Sequence, residues 1–260
     1  MHDPPLCTWR RFEADIILCA VRWSRRYAWS SRDVEELLRE RGVWVDHTTV
    51  FRWVQRDAPA LDKRCRPHLH STNDSYRGDE TDIKMKKPWH DLSRAVDSQG
   101  QTLDFLLSPT RDAEAAERFF RLVLHASPTL APRVITVDKN AAYPSAFESL
   151  QQDKTLPGNC QLRPCKYVNN MVEQDHRFVK RRVNPGLGCG ALATAQRTSQ
   201  GYEAMHLLRK DQIEGRAKGD VLAQNRVINQ LFGLAASREL ASLSSPSNLF
   251  LQHNLLQCQR

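Results

Sequence analysis

The sequence predicts a mixed α/β fold, a sheet flanked by helices, preceded by a small all-α helix-turn-helix domain. Three observations predict it. The first 60 residues place their apolar side chains at helical spacing. From Ser75 onward the pattern changes to short alternating or continuous apolar runs. Those runs come as three strand candidates, a helix, and then alternating strands and helices.

At the N-terminal end, Phe12, Ile16, Cys19, Ala20 and Trp23 fall on one helical stripe. Ser30-Ser31-Arg32-Asp33 offers N-cap chemistry for a second helix with Val34, Leu37 and Leu38 as its apolar face and Gly42 as its stop. Asp46 is a candidate cap for a third helix, expected to end before Pro59. In that helix Val50, Trp53 and Val54 point one way, and Thr48, Arg52, Gln55 and Arg56 the other. Arg reads guanine or grips phosphate, Gln pairs with adenine, and Thr meets backbone or a thymine methyl, so the second face suits a recognition helix. A solvated face on an ordinary three-helix bundle would give the same pattern. Residues 1–60 are therefore read as the helix-turn-helix region and the polar, basic segment 61–74 as a linker.

Within 75–212, strands are expected at 76–85, 89–96 and 102–107, and then a helix at 112–126 with Ala115, Phe119, Leu122 and Val123 on its apolar side. A strand at 133–138, a helix at 141–150, a short strand at 160–165 and a helix from Asn170 complete this part. Residues 213–260 read as a tail, partly helical or disordered. The Gly186–Gly190 stretch follows a helix and lacks the rest of a dinucleotide fingerprint, so a connector is the better reading.

A net charge of +8 implies a polyanionic partner, most simply nucleic acid. No apolar stretch is long enough to span a membrane, and the basic residues near the N-terminus lie on the wrong side of the apolar ones for a secretory signal. The seven scattered cysteines suit a reducing compartment. Cys65 with His68 and His70, and Cys160 with Cys165, lack the paired second half that a structural zinc site needs. A cytoplasmic, nucleoid-associated protein is expected, with no membrane partner.

Three carboxylates carry the chemistry. Asp79 opens the run Asp-Glu-Thr-Asp-Ile-Lys, Asp138 ends the apolar run Val134–Val137, and Glu173 lies early in the helix from Asn170. Two strand-borne aspartates and one helix-borne glutamate can converge on a pair of divalent cations for in-line attack on a phosphodiester. His176, Arg177 and Lys180, at i+3, i+4 and i+7 from Glu173, share its face. Arg181 and Arg182 extend the basic strip, and Lys139 and Asn140 beside Asp138 are placed to meet phosphate.

From about Phe12 to Ala236 the chain resembles the DDE transposases of bacterial insertion sequences, specifically the insertion-sequence-six family. The resemblance rests on His47-Thr-Thr-Val-Phe-Arg-Trp-Val-Gln55, Arg94-Ala-Val-Asp97, Val137-Asp-Lys-Asn140, Glu173-Gln-Asp-His-Arg-Phe-Val-Lys-Arg-Arg-Val183 and Gln200-Gly-Tyr-Glu-Ala-Met-His206. It implies a ribonuclease-H-like core in which Asp79, Asp138 and Glu173 are the catalytic, metal-holding residues and Lys180 is the basic residue seven positions after the glutamate. It also implies two Mg2+ ions, with Mn2+ as a possible substitute. The partners would be double-stranded DNA (element ends and target) and a second copy of the chain in a homodimer or higher synaptic oligomer. The implied reaction is DNA cleavage and strand transfer. Thr48, Arg52, Gln55, Arg56, Lys139, His176, Arg177, Lys180 and Arg181 are the expected DNA contacts.

The chain departs from the family at Gly78, where a β-branched residue is usual, at Asp82, where an aromatic is usual, at Gln196, at Cys189-Gly190-Ala191, and over Ser237–Arg260. These departures keep a second reading open: a catalytically impaired, transposase-derived DNA-binding protein. A ribonuclease-H-like nuclease acting on RNA fits the N-terminal helix-turn-helix less well.

Overall fold

The computed structural model describes residues 12–27, 29–84, 89–126, 130–165, 170–183, 191–214 and 219–234. Three helices come first: α1 (Ala14–Arg26), α2 (Ser31–Arg39) and α3 (His47–Cys65). The Ser30 hydroxyl accepts from the Asp33 amide while the Asp33 carboxylate accepts from the Ser30 amide, a reciprocal cap that starts α2. Gly42, at φ +76°, turns the chain out of that helix in a conformation that favours glycine. Asp46 caps α3 by accepting from the Thr48 and Thr49 amides.

Two details of this region differ from the sequence reading. The buried side of α1 is Ile17, Leu18, Ala20, Val21, Ser24 and Arg25, with Phe12, Ile16 and Trp23 only partly covered. The stripe is turned and broadened because α1 packs on α3 and on a later helix as well. The third helix does not stop at Pro59 but runs to Cys65, and a short 3-10 turn follows at Arg66–His68. The expected boundary at residue 60 thus falls inside α3, and Leu61, Cys65 and Leu69, expected in a linker, are buried in an apolar cluster.

The sheet is built from β1 (Ser75–Lys84), β2 (Trp89–Asp97), β3 (Thr102–Ser108), β4 (Val134–Val137) and β5 (Gln161–Pro164), in the order β3-β2-β1-β4-β5. Strands β1, β2 and β3 are antiparallel neighbours, and β4 and β5 run parallel to β1. This is the ribonuclease-H-like arrangement. Helices α4 (Ala113–His125) and α5 (Ala142–Gln152) cover one face through Tyr76, Phe119, Phe120, Ile135, Val137 and Leu150. The other face carries α6 (Asn170–Val183) and α7 (Leu192–Arg209), whose Val179, Val183, Ala195 and Tyr202 pack on Ile83, Leu92, Phe105 and Leu107. A last helix, α8 (Val221–Leu231), joins α3 and α7 in the cluster around Leu61, Met205 and Ile228. The segments 184–190 and 235–260, read as a connector and the end of the tail, lie outside the described residues. Among the described residues no helix is long and apolar enough to cross a membrane.

A buried ionic network joins the second face together. Arg94 on β2 is fully buried and donates to both Glu203 carboxylate oxygens on α7, at 2.7 and 3.0 Å. It also lies 3.4 Å from Asp175 on α6, which accepts in turn from Lys210 at 2.5 Å and Thr102 at 3.2 Å and pairs with His206 at 3.0 Å. Burial alone would raise the Asp175 carboxyl, but the His206 hydrogen bond and the charges of Arg94 and Lys210 overcome it and hold the group well below the usual range. Nearby, Arg66 clamps Asp104 through two 2.8 Å bonds and ties the end of α3 to β3. Asp62, deeply buried beside them, is pushed up to about 7.

Two expectations follow from this packing. A methyl group on Gly201 would stand 2.7 Å from Ala58 Cβ and 3.0 Å from the Arg25 side chain, because α7 and α3 touch there. Gly201→Ala should lower the urea-unfolding midpoint: overpacking of about 1–3 kcal/mol outweighs the roughly 1 kcal/mol gain in helix propensity. Asp175→Asn should cost about 3 kcal/mol at pH 7, the scale for losing one partner of a buried pair. The Asp175 carboxyl is depressed on folding, so its stabilisation is present above the unfolded value of about 3.9 and is lost as pH falls below it. Urea unfolding at pH 7 and pH 3 should show the gap between wild type and variant narrowing at the lower pH.

Candidate active site

Strand register places the two aspartates together. The parallel β1–β4 pairing runs Ser75 with Val134, Tyr76 with Ile135 and Arg77 with Thr136. Continued by two residues, it sets Asp79 level with Asp138 on neighbouring strands, spaced about 4.8 Å apart in the sheet. Side chains alternate along a strand. Tyr76 and Val137 point into the α4–α5 core, so Asp79 and Asp138 point to the opposite face, under α6. On the other neighbour, Asp79 stands opposite Arg94.

α6 brings the third carboxylate to this face. Its His176 is buried, with Nε2 3.7 Å from Asp79 Oδ2, and Glu173 lies one turn earlier on the same side of the helix, exposed. Burial, with the charges of Arg94 and Lys180, pushes His176 down to about 3, so the imidazole is neutral at neutral pH. Among the described residues neither ring nitrogen has a hydrogen-bond partner. His176 was expected among the DNA contacts; a buried, uncharged ring cannot grip phosphate, and its place is against Asp79. Among the described residues no three His, Cys, Asp or Glu side chains are close enough to hold a metal ion. By strand register Asp79 and Asp138 are neighbours, and Glu173 lies one turn before His176 on the helix above them.

Tyr143 on α5 reports the same crowding from beneath. Burial pushes its hydroxyl far up, and the negative charges of Glu80, Asp138 and Asp79 add to the shift. Glu80, which the sequence reading left without a role, accepts from Asn140 Nδ2 at 3.1 Å, while the Asn140 amide donates to Asp138 Oδ1 at 3.1 Å. Those two bonds hold the loop after β4 against β1. Burial, and next the Asp91 carboxylate, raise the Glu80 carboxyl. Arg111 pairs with Glu80 at 2.8 Å, Asp82 at 3.3 Å and Asp91 at 2.5 Å. Asp82, one of the departures from the family pattern, is largely exposed and shares that single guanidinium with two other carboxylates. Gly78, the other departure beside Asp79, has a packing reason: a Cβ there would come within 3.3 Å of the Phe119 ring.

The remaining candidates fall into three groups. Lys139, Arg177 and Arg181 are exposed and Lys180 is half-buried, all around the carboxylates or on α6. Thr48, Arg52 and Arg56 lie on the exposed flank of α3, with the Thr48 hydroxyl donating to Asp46. Gln55 is turned aside: its Nε2 donates to Thr198 Oγ1 on α7 at 2.8 Å, so it joins the two helices instead of facing outward. Trp44, between α2 and α3, and Phe51, on α3, are exposed at 74% and 46% near that flank, and the sequence reading gave neither a role.

The family profile for the DDE domain of IS240-type transposases matches residues 73–212, more than half of the chain. The transposase for insertion sequence-like element IS431mec of Staphylococcus aureus is 33% identical over 233 residues, covering 90% of this chain and 96% of the relative. The transposase for insertion sequence element IS257 in transposon Tn4003, from the same organism, matches at the same identity and coverage. Among solved structures, the dimeric form of the HTLV-2 integrase catalytic core domain in complex with magnesium aligns with 58% of this chain and 96% of that chain, at 18% identity and a TM-score of 0.42. With a matching DDE-domain profile and transposase relatives aligned over nearly their whole length, the chain belongs to the DDE transposases of the insertion-sequence-six family.

Proposed function

We propose that this transposase binds element-end DNA through α2 and α3 and cuts and joins DNA strands at Asp79, Asp138 and Glu173. The observation that carries the catalytic assignment is the shared level of Asp79 and Asp138 on adjacent parallel strands, beneath the helix that bears Glu173. The donor set fits divalent cations of the magnesium type: carboxylate oxygens only, with no thiolate and with the nearby His176 buried against Asp79. Two Mg2+ ions, or Mn2+ in their place, would activate the attacking oxygen and stabilise the departing one. Glu173 is exposed on the helix above the two aspartates, where its carboxylate would complete the metal-holding set. Asp79, Asp138 and Glu173 would hold the ions through their carboxylate oxygens. Lys180, on the same side of α6, holds the scissile phosphate, and His176 excludes water behind Asp79.

The exposed flank of α3, with Thr48, Arg52 and Arg56, faces the duplex, and Lys139, Arg177 and Arg181 meet DNA beside the carboxylates. Gln55 takes no part in base reading. Joining two element ends to a target calls for at least a homodimer, working on chromosomal or plasmid DNA in the bacterial cytoplasm. The fit of Gly78 beneath Phe119 favours an intact enzyme over an impaired DNA-binding derivative.

Glu173→Gln keeps shape and hydrogen bonding and removes a metal-holding charge. Strand transfer on element-end DNA with Mg2+ should fall about 1,000-fold, since metal stabilisation amounts to several kcal/mol and each 1.4 kcal/mol is a factor of ten. Gel shift of the same preparations should be unchanged. Wild-type protein that binds its ends but shows no metal-dependent transfer would make the impaired derivative the correct reading. Arg52→Ala in the full chain should weaken end binding by about 1–3 kcal/mol where that side chain reads a base.

A further inference from the structure

Glu80 follows Asp79 on β1, and successive side chains of a strand point to opposite faces. Asp79 looks toward α6, so Glu80 looks toward the α4–α5 side, where its side chain is only 5% exposed. A carboxylate so enclosed is costly unless donors meet it. Two do so on Oε2: Arg111 Nε at 2.8 Å and Asn140 Nδ2 at 3.1 Å. Arg111 divides itself among three carboxylates. The Asn140 amide is committed to this place, since its oxygen accepts from the Ala142 amide at 3.0 Å. Its position beside Asp138 suggested a phosphate contact, but its side chain is bonded to Glu80 and to the start of α5 instead.

The place of the Glu80–Asn140 bond matters because strand pairing has ended there. Among the described residues the last pair joining β1 to β4 is Arg77 with Thr136, and β4 stops at Val137. Pairing with β5 ends at the same point, at Val137 with Pro164. Asp138 therefore lies past the last strand pair on both sides. Its Oδ1 accepts from the Asn140 main-chain amide at 3.1 Å, a bond within one loop that ties neither residue to β1. The Asn140 side chain makes that tie, and it does so at the residue next to Asp79. One asparagine thus orients Asp138 with its main chain and anchors it to the strand of Asp79 with its side chain.

Stability alone would be served by apolar side chains at these positions, as Tyr76, Phe119 and Val137 serve it close by. A metal-holding pair has a narrower demand. Ions in a two-metal site sit about 3.5–4 Å apart, so the carboxylates that hold them must keep one separation. Groups bonded behind such ligands govern how well they hold. We propose that Glu80 and Asn140 are positioning residues whose bond takes over where strand pairing ends and fixes Asp138 beside Asp79. The proposal rests on the assignment of Asp79 and Asp138 to the metal site and names the groups that set their separation.

The test reads the full chain without DNA in two ways: Mn2+ affinity by calorimetry, and hydrogen exchange over residues 137–142. Glu80→Ala and Asn140→Ala should each weaken Mn2+ binding about 10-fold, the scale for losing a group bonded behind a metal ligand. The double variant should bind no more weakly than either single one, because both remove the same bond. Glu80→Gln, whose amide oxygen still accepts from Asn140, should lie closer to wild type than to Glu80→Ala. In an Asp138→Asn background neither Ala change should weaken binding further. Exchange should quicken in Glu80→Ala as it does in Asn140→Ala. Gly201→Ala, which strains the α3–α7 contact away from the site, should bind Mn2+ as wild type does, so a loss that merely follows stability is told apart. Folded Ala variants with wild-type Mn2+ affinity, wild-type exchange in Glu80→Ala, or a double variant weakened by the product of the singles would each overturn the proposal. Where urea unfolding shows an Ala variant unfolded, Glu80→Gln decides, and binding as weak as that of Asp138→Asn overturns it. Mn2+ binding that Asp138→Asn leaves unmoved sinks the catalytic reading instead, and the exchange result then decides the tether by itself.

Discussion

Arg94 is the group on which the arrangement of the site depends. A guanidinium buried in the middle strand region of a sheet is tolerated only if charge and hydrogen bonds meet it there. Glu203 and Asp175 do so, and they come from different helices, α7 and α6. Apolar packing of Val179 and Val183 against Ile83 would allow α6 to slide or rotate by a fraction of a turn at little cost. The paired charges do not, because a buried ion loses several kcal/mol when its partner is withdrawn. Asp175 is two residues from Glu173, and Arg94 stands opposite Asp79 in the β1–β2 register. The same network thus sets the helix-borne carboxylate against the strand-borne pair. Its contribution is to geometry more than to net stability, since well-packed apolar residues could replace such a network without loss of folding free energy.

Much of the sheet was legible in the sequence. Val134–Val137 is a short apolar run because it is buried from both sides, and the strands around Tyr76, Leu92 and Phe105 fall within about two residues of expectation. The N-terminal helices were legible in number and capping but not in extent. Pro59 lacks a donor and should interrupt α3. The helix continues because Ala58, Leu61 and Cys65 are buried against α7 and α8, and because Arg66 is held by Asp62 and Asp104. Except for Asp62, those contacts come from residues roughly forty to one hundred and seventy positions away, which no local rule can weigh. Gln55 misled for the same reason: its outward position on an isolated helix is an inward one once α7 is present.

At the candidate site, Asp79, inside β1, and Asp138, just past β4, could be read from the resemblance to the family, while the groups that support them could not. The pairing of Glu80 with Asn140 and Arg111 joins three segments that carry no shared pattern. The burial of His176 depends on how α6 lies on β1. The blocks around Arg94, Asp175 and Glu203 all stood out in the sequence, yet only the structure shows that they are one network. Gly78 and Asp82, which read as losses against the family pattern, are each met by a particular neighbour, the Phe119 ring and the Arg111 guanidinium.

The distribution of charge around α6 gives the excess positive charge a physical location. Glu173 marks one side of the helix, and the positions next to it carry Arg177, Arg181 and Arg182. Arg177, four residues after Glu173, is its neighbour on the helix surface, and such a pair in water interacts by about 0.5 kcal/mol or less. Placing both charge types on one helix, whose orientation the Arg94 pairs fix, keeps the basic positions at a set distance from Glu173.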